Sequence, residues 1–496
     1  MVGAVASAHP LSTAAGQAVL DRGGNAYDAV VAVSAALTVV QPHMNGLGAD
    51  FFAVVDDDGV RSVNASGWAA EAASIDAFRE RRLPTIPVSG PLSALTVPGL
   101  VAAWSLLGPR LTQRWTDLLA PAVRYAREGF PATSSMARSV ARTSARADED
   151  WRATYAGTAR GQRLRQPRLG RTLDAVAQDA GASFYHGRIA RAIARDQQGK
   201  GGLLRFDDLD GFAAEWTEPL RVRYREFDVY TTPPNSQGAA ALITLNLLAR
   251  DDLADLSESA YVAALARATR TAYAYRSRVI GDPKELPFPS DLLSAEYPYT
   301  PSGPTSPRPT DGGGDTTAFS VFDGRVGISA IQSNYMGFGS GVSVGTTGIN
   351  LNNRGSYFSL DPDHHNALAP GKRTFHTLMA TVARSPDRRL FLGSMGGDVQ
   401  PQVNVQILTR ALDRQDPIAR AVAAPRFAWP ATIYGTAGWY AEPGVRLRGA
   451  RVVRGDRSMF GHAQSIDVGS RVEVGLDPRS DAFAPVTPPV RPGPNS

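Results

Sequence analysis

The 496-residue chain contains no cysteine. That excludes disulfides, Cys-ligated zinc or iron–sulfur centres, and a thiol nucleophile. Lysine is nearly absent as well, occurring only at Lys200, Lys284 and Lys372, so Schiff-base chemistry has few candidates. The basic side chains are almost all arginine, a bias of the kind a GC-rich genome produces. Charge of one sign is also lacking: 52 Lys+Arg against 47 Asp+Glu leaves a formal +5, too weak a field to indicate a nucleic-acid partner. No apolar run reaches the ~20 residues that span a bilayer. The longest, 26–40, is broken by Tyr27, Asp28, Ser34 and Thr38. Near the N-terminus, polar Ser7, His9 and Ser12 interrupt any secretory pattern, so the expected location is the cytoplasm. What is left is an ordinary globular composition, 43% hydrophobic and 20% charged. If the protein is an enzyme, its nucleophile is Ser, Thr, Lys, a carboxylate or a metal-bound water.

The pattern of residues sketches the elements. Ser12 or Thr13 can cap a helix running to Arg22, ended by Gly23-Gly24. Residues 26–40 are apolar on nearly every face and read as a buried helix, followed by a strand over 51–55. The region 92–194 is mostly helical, with interleaved arginines and acids that suit a solvated face. A strand is expected over 224–230 and further helix over 237–276. Residues 297–314 hold five prolines and Gly312-Gly313-Gly314, the composition of an exposed loop. Directly after it, residues 316–322 and 325–333 flank Asp323-Gly324, a strong signal for a tight hairpin.

A threonine pair therefore stands where a flexible loop meets a rigid strand. A Thr hydroxyl is a poor nucleophile unless a base lies beside it, and an N-terminal Thr carries that base as its own α-amine. Such an amine titrates near 7.7–8.0, close to working pH. An internal Thr reaches that state if its hydroxyl attacks the preceding carbonyl and the resulting ester is hydrolysed. Asp315-Thr316 meets the local requirements, although Gly-rich loops before strands also serve simply as connections.

Other motifs carry weaker signals. Gly393-Ser394-Met395-Gly396-Gly397-Asp398 follows the apolar run 390–392 and can present backbone N–H groups to an oxyanion, or be a plain strand-to-helix turn. Gly337-Phe338-Gly339-Ser340-Gly341 lacks the Lys and the strand–helix setting of a phosphate loop. His364-His365 fits a polar loop better than a metal site, because no second cluster has ligand spacing. Neither Ser7 nor Ser394 sits in a nucleophile elbow.

Many short motifs in register give the sequence a family likeness. They are Ala8-His9-Pro10, Gly23-Gly24-Asn25-Ala26-Tyr27-Asp28, Pro42-His43-Met44, Val97-Pro98-Gly99 and Pro233-Pro234-Asn235. Asp315-Thr316-Thr317, Gln332-Ser333-Asn334-Tyr335, Gly371-Lys372-Arg373, Met395-Gly396-Gly397, Ala424-Pro425-Arg426 and Asp477-Pro478-Arg479 continue the series. The chain resembles the γ-glutamyltransferase family of N-terminal-nucleophile hydrolases, in its amidase or cephalosporin-acylase-like branch.

The resemblance implies an α+β fold, a four-layer αββα sandwich, and self-cleavage between Asp315 and Thr316. Residues 1–315 would form a large subunit and 316–496 a small one of 181 residues (496 − 315), intertwined as one domain. Thr316 would be the nucleophile, Gly396 and Gly397 the oxyanion hole, and Ser333 the hydroxyl that bonds the Thr amine. No cofactor or metal is implied, and the partner is a small-molecule substrate, with further homo-oligomerisation left open. Glutathione-cleaving members hold the substrate with an Arg, an acidic residue and paired serines. Here Asn64-Ala65-Ser66-Gly67-Trp68 has no Arg, Arg354 and Tyr357 stand in the acidic stretch, and His376-Thr377 replace the serines. Tyr335 completes the set of candidate substrate-binding residues. These departures argue against glutathione and for a substrate whose own carboxylate pairs with Arg354. Three readings follow: hydrolysis of a small amide or acyl metabolite, C–C bond hydrolysis with the same Thr as in some actinobacterial antibiotic pathways, and a catalytically silent scaffold.

Overall fold

The computed structural model describes residues 3–300, 315–429 and 438–484. Most of the loop expected over 297–314 lies outside the described residues. The chain mixes helices with two six-stranded sheets, each antiparallel throughout. In the first sheet the order is Ala4–Ser7, Asp315–Phe322, Gly327–Tyr335, Asp50–Asp56, Val60–Ala65 and Glu215–Thr217. In the second it is Val472–Leu476, Ala463–Val468, Arg389–Ser394, Ala380–Arg384, Phe227–Thr231 and Leu220–Tyr224. Both sheets contain strands from before residue 315 and from residue 315 onward.

The sheets meet face to face through one apolar cluster. Phe52, Ala318, Phe322 and Ile331 of the first pack on Val382, Phe391 and Ile466 of the second. The fit depends on a missing side chain: a Cβ on Gly327 would stand 1.9 Å from the Phe391 ring. Outside the first sheet lies a helical layer that includes Pro10–Asp21, Ala26–Val40, Leu100–Leu107, Trp115–Glu128 and Pro167–Gln178. Ala239–Leu248, Glu258–Val279, Gln400–Leu412 and Ile418–Ala423 cover the second. Ala26–Val40 is buried at every residue, as its all-round apolar pattern requires.

Several local expectations shift. The first helix begins at Pro10, before the expected Ser12 or Thr13, because the His9 ring nitrogen accepts the Leu11 N–H and proline suits a first helical turn. Residues 220–231 make a hairpin of two strands, with Arg225 at φ +55°, where one strand was expected. The helical region after Gln237 is two helices, the second capped by Ser257. The hairpin after Thr316 forms, but Phe322 pairs with Gly327, so the turn is four residues. Asp323 widens it, its carboxylate accepting both the Arg325 and Val326 N–H groups at 2.8 Å. Among the described residues no helix is long and apolar enough to cross a membrane.

Candidate active site

Thr316 enters a strand flanked on both sides by other strands, and its residue is 1% exposed. Its hydroxyl donates to Ser333 Oγ at 3.1 Å. Ser333 in turn donates to the Asp315 carbonyl at 2.7 Å and accepts the Tyr335 N–H at 2.7 Å. A shift in register between Gln332 and Tyr335 turns the Ser333 hydroxyl into this position. One hydroxyl thus touches both the candidate nucleophile and the carbonyl it would attack. Thr317 points the other way and donates to Gln41 Oε1 at 2.9 Å.

The glycine pair lies at the same edge. Gly393 packs so closely on Ala318 that a Cβ there would stand 2.8 Å from the Ala318 methyl, which brings the end of Arg389–Ser394 beside the start of Asp315–Phe322. The chain then turns through Gly396 at φ +143° and Gly397 at φ +55° into Gln400–Leu412. Both angles are ones that other residues rarely adopt. The motif is therefore a strand-to-helix turn.

A network of polar side chains holds this turn, and Gln237, Tyr273 and Arg276 in it carried no signal in the sequence. Gln237 Nε2 donates to the Gly397 carbonyl at 2.8 Å and to the Thr377 carbonyl at 2.6 Å. Its Oε1 accepts from Arg276 at 2.6 Å, and Arg276 pairs with Asp398 at 2.8 Å. Tyr357 donates to the same Asp398 oxygen at 2.8 Å, and the Tyr273 hydroxyl bonds the Asp398 carbonyl. Arg276→Met removes the charge that anchors Asp398. It is expected to lower kcat by on the order of tenfold with little change in KM, since it loosens transition-state donors and not substrate contacts. Steady-state kinetics on the cleaved protein checks this, and an equal rise in KM would contradict it.

Arg354 is the most exceptional group of the site. Its residue is 1% exposed, its guanidinium lies 4.2 Å from the Tyr335 ring centre, and Nη1 donates to Thr377 Oγ1 at 3.1 Å. The Asp50 carboxylate is 4.0 Å from Nε. Nε and Nη2 have no hydrogen-bond partner among the described residues. Burial pulls the Arg354 pKa below its ordinary value, with Asp50 opposing. A buried cation with unpaired donors is costly unless an opposite charge comes close to it.

His376, read from the sequence beside Thr377 as substrate-binding, has both nitrogens engaged. Nδ1 accepts the Leu378 N–H at 3.2 Å, so Nε2 carries the proton and donates to Asp50 at 2.9 Å. It holds Asp50 behind Arg354, and Thr377 holds Arg354 itself. Tyr335 and Tyr357 stack edge-on at 5.5 Å and wall the guanidinium. Thr316, Ser333, Tyr335, Arg354, Tyr357 and Asp398 therefore form one chain of contacts ending at Gly397. His364 and His365 stack on each other at 4.4 Å in a loop of their own.

A cleft of about 500 Å³ reaches this edge, lined by Met44, Ser135, Arg138, Met395, His462 and Asp481. Of the buried imidazoles, His462 lines it and His43 bonds Ser135 of its wall at 3.1 Å. Burial brings His9 and His43 down to about 4 against the opposing charge of Asp481, with His462 and Arg142 adding to the fall for His43, and burial likewise brings His376 down to about 4. Their folded values lie below the ordinary 6.5, so the stability they contribute is present above 6.5 and is lost as pH falls from there toward 4. Melting temperatures should drop between pH 7 and 4.5, and His43→Gln should flatten that slope. An identical slope in the variant would contradict the assignment.

A Thr near the start of a buried strand, its hydroxyl on a serine, and a glycine turn on the facing sheet are the arrangement that an N-terminal-nucleophile hydrolase would present. The chain belongs to the gamma-glutamyltranspeptidase family, whose model matches residues 12–486. It is 35% identical to the glutathione hydrolase-like YwrD proenzyme of Bacillus subtilis, covering 97% of both chains. It is 36% identical to the oxamate amidohydrolase proenzyme of Klebsiella pneumoniae, over 86% of this chain and 84% of that one. The cephalosporin acylase structure from Bacillus halodurans superposes with a TM-score of 0.88 at 33% identity, over 97% and 95% of the chains. These relatives support an amide hydrolase made as a proenzyme.

Proposed function

We propose that the protein is a self-processing amide hydrolase with Thr316 as nucleophile, acting on a small amide whose acyl part bears a carboxylate. The observation that carries it is the Ser333 hydroxyl, bonded at once to Thr316 Oγ1 and to the Asp315 carbonyl. In self-cleavage Thr316 Oγ bonds to the Asp315 carbonyl carbon and passes its proton to Ser333 Oγ, while the Ser333 proton moves to the carbonyl oxygen. The C–N bond then breaks as the oxygen returns its proton toward the nitrogen, leaving an ester and a free α-amine. Water hydrolyses the ester to the Asp315 carboxylate and regenerates the Thr316 hydroxyl. The chains 1–315 and 316–496 stay together as one domain, because each sheet contains strands of both. Two sheets with helices outside each support the four-layer αββα reading.

In turnover the Thr316 amine takes the hydroxyl proton, the oxygen attacks the substrate carbonyl, and the proton passes to the leaving nitrogen. Gly396 and Gly397 stabilise the oxyanion. Arg354, with its open donors, takes the acyl-side carboxylate. Oxamate, named in one relative, is an amide with a carboxylate on its carbonyl carbon, and it fits this description. Glutathione does not, because Tyr357 stands where an acidic anchor for its ammonium would be. Incubating the cleaved protein with oxamate and related amides, then quenching in acid, should add the acyl mass to the peptide beginning at Thr316. Failure of every amide to label it or to turn over sinks the reading. Labelling with release of a carbon-bonded fragment in place of an amine moves it to C–C hydrolysis.

A further inference from the structure

Two short motifs, Ala424-Pro425-Arg426 and Asp477-Pro478-Arg479, bond neither Thr316 nor Arg354, yet they meet each other. The helix Ile418–Ala423 ends just before Pro425, and Asp477 follows the strand Val472–Leu476. Arg426 and Asp477 pair at 2.7 Å, with side chains 2% and 0% exposed. This pair grips residues 460–463 at both ends. Arg426 Nη1 donates to the Phe460 carbonyl at 3.3 Å and to the Gly461 carbonyl at 3.1 Å. Asp477 Oδ2 accepts the Ala463 N–H at 2.9 Å. The carbonyl between them, that of His462, accepts the Met395 N–H at 2.8 Å, and Met395 is the residue before Gly396. The two segments also touch: Gly461 has φ +66°, and a Cβ on it would stand 2.2 Å from the Met395 carbonyl oxygen. A Cβ on Gly396 would lie 3.5 Å from Gly461 Cα. Behind the pair, Arg479 donates to Asp477 Oδ1 at 3.0 Å and to Glu442 Oε1 at 2.9 Å, and Glu442 accepts the Arg426 N–H at 2.8 Å.

A buried ion pair adds little net stability over apolar side chains of the same size, and its best-attested use is to fix one arrangement of the chain. The arrangement fixed here is that of residues 460–463 and, through the His462 carbonyl, of the peptide that carries the Gly396 N–H. We infer that Arg426 and Asp477 are positioning residues for amide hydrolysis: their ion pair sets the glycine turn from the Met395 side, as Gln237 sets it from the Gly397 side. This rests on the reading of Gly396 and Gly397 as the oxyanion donors. In that reading the two glycines act in substrate turnover, whereas self-cleavage runs through Ser333. Loosening the pair therefore separates the two reactions: turnover falls and self-cleavage continues.

The sequence offers a direct readout, because Met is followed by Gly only at Met336-Gly337 and Met395-Gly396. Protein carrying 13C at methionine carbonyls and 15N in glycine gives one carbonyl–amide correlation signal for Gly337 and one for Gly396. Spectra are recorded for the wild type, Arg426→Met and Arg426→Lys, and the same samples are assayed for self-cleavage on a denaturing gel and for hydrolysis of oxamate. In both variants the Gly396 signal should shift or broaden, the Gly337 signal should stay, and self-cleavage should be complete. For Arg426→Met, kcat should fall roughly tenfold to a hundredfold with KM nearly unchanged, the effect of displacing a transition-state donor. Arg426→Lys keeps a cation beside Asp477 but cannot reach it and both carbonyls together, so its loss should be smaller. It carries the test if Arg426→Met does not fold. A Gly396 signal that stays in place in a folded variant overturns the inference, as does a shifted signal with wild-type kcat. Movement of both signals together with slowed self-cleavage makes Arg426 a support of the whole fold and overturns it too. A wild type that hydrolyses neither oxamate nor any related amide sinks the proposed function, while the two signals still decide whether the pair sets the turn.

Discussion

Thr316→Ala should run on a denaturing gel as one polypeptide of 496 residues, while the wild type separates into chains of 315 and 181 residues. The same variant should lose amide hydrolysis by at least about a thousandfold, since removing a nucleophile leaves only binding and oxyanion stabilisation. The two losses share one cause, because the hydroxyl that attacks the Asp315 carbonyl later attacks the substrate. Thr316→Ser keeps an oxygen at the same place and should still be cleaved. Ser333→Ala tests the relay separately: cleavage should slow, because the proton path from Thr316 to the Asp315 carbonyl oxygen runs through that hydroxyl. Cleavage of Thr316→Ala at the same bond would place the nucleophile elsewhere.

Arg354→Met should lower kcat/KM for a carboxylate-bearing amide by roughly tenfold to a hundredfold, the effect of one charge-assisted hydrogen-bonded pair. The effect on the empty protein should have the opposite sign. Arg354 is fully buried with two nitrogens unpartnered and Asp50 no nearer than 4.0 Å, so an apolar side chain of similar length relieves a buried charge. The melting temperature without ligand should hold or rise, and stabilisation by a carboxylate ligand should vanish. Self-cleavage should be unchanged, because Arg354 contacts neither Thr316 nor the Asp315 carbonyl through any hydrogen bond described above. A variant that is less stable and equally active would show that Arg354 serves the fold.

Before cleavage Thr316 has no free amine, so Ser333 bonds its hydroxyl and the carbonyl ahead of it. The amine contact expected from the resemblance would form only after a cut between Asp315 and Thr316. His376 is a similar case. As one of a pair replacing serines it reads as a substrate contact; in the structure its Nε2 is bonded to Asp50, whose carboxylate lies 4.0 Å from Arg354 Nε. Gln237, Arg276 and Asp398 lie far apart in the chain, and nothing in their local sequence marks them as the brace of the glycine turn.

The sequence by itself determined the family and marked out Thr316 as the candidate nucleophile, the glycine pair, and Arg354 and Tyr357 in the stretch where an acidic residue was expected. Each is a matter of residue type in a short local pattern: a Thr after a Gly-rich loop, glycines where positive φ is needed, a charge where the opposite charge was expected. Only the tertiary structure decided which polar groups have partners. Hydrogen bonding and burial are set by which strands and helices meet, and strands 315–322, 389–394 and the segment at 354–357 meet only when the two sheets close on each other. That closure brings the glycine turn beside the strand of Thr316 and leaves Arg354 buried with two nitrogens that have no hydrogen-bond partner among the described residues.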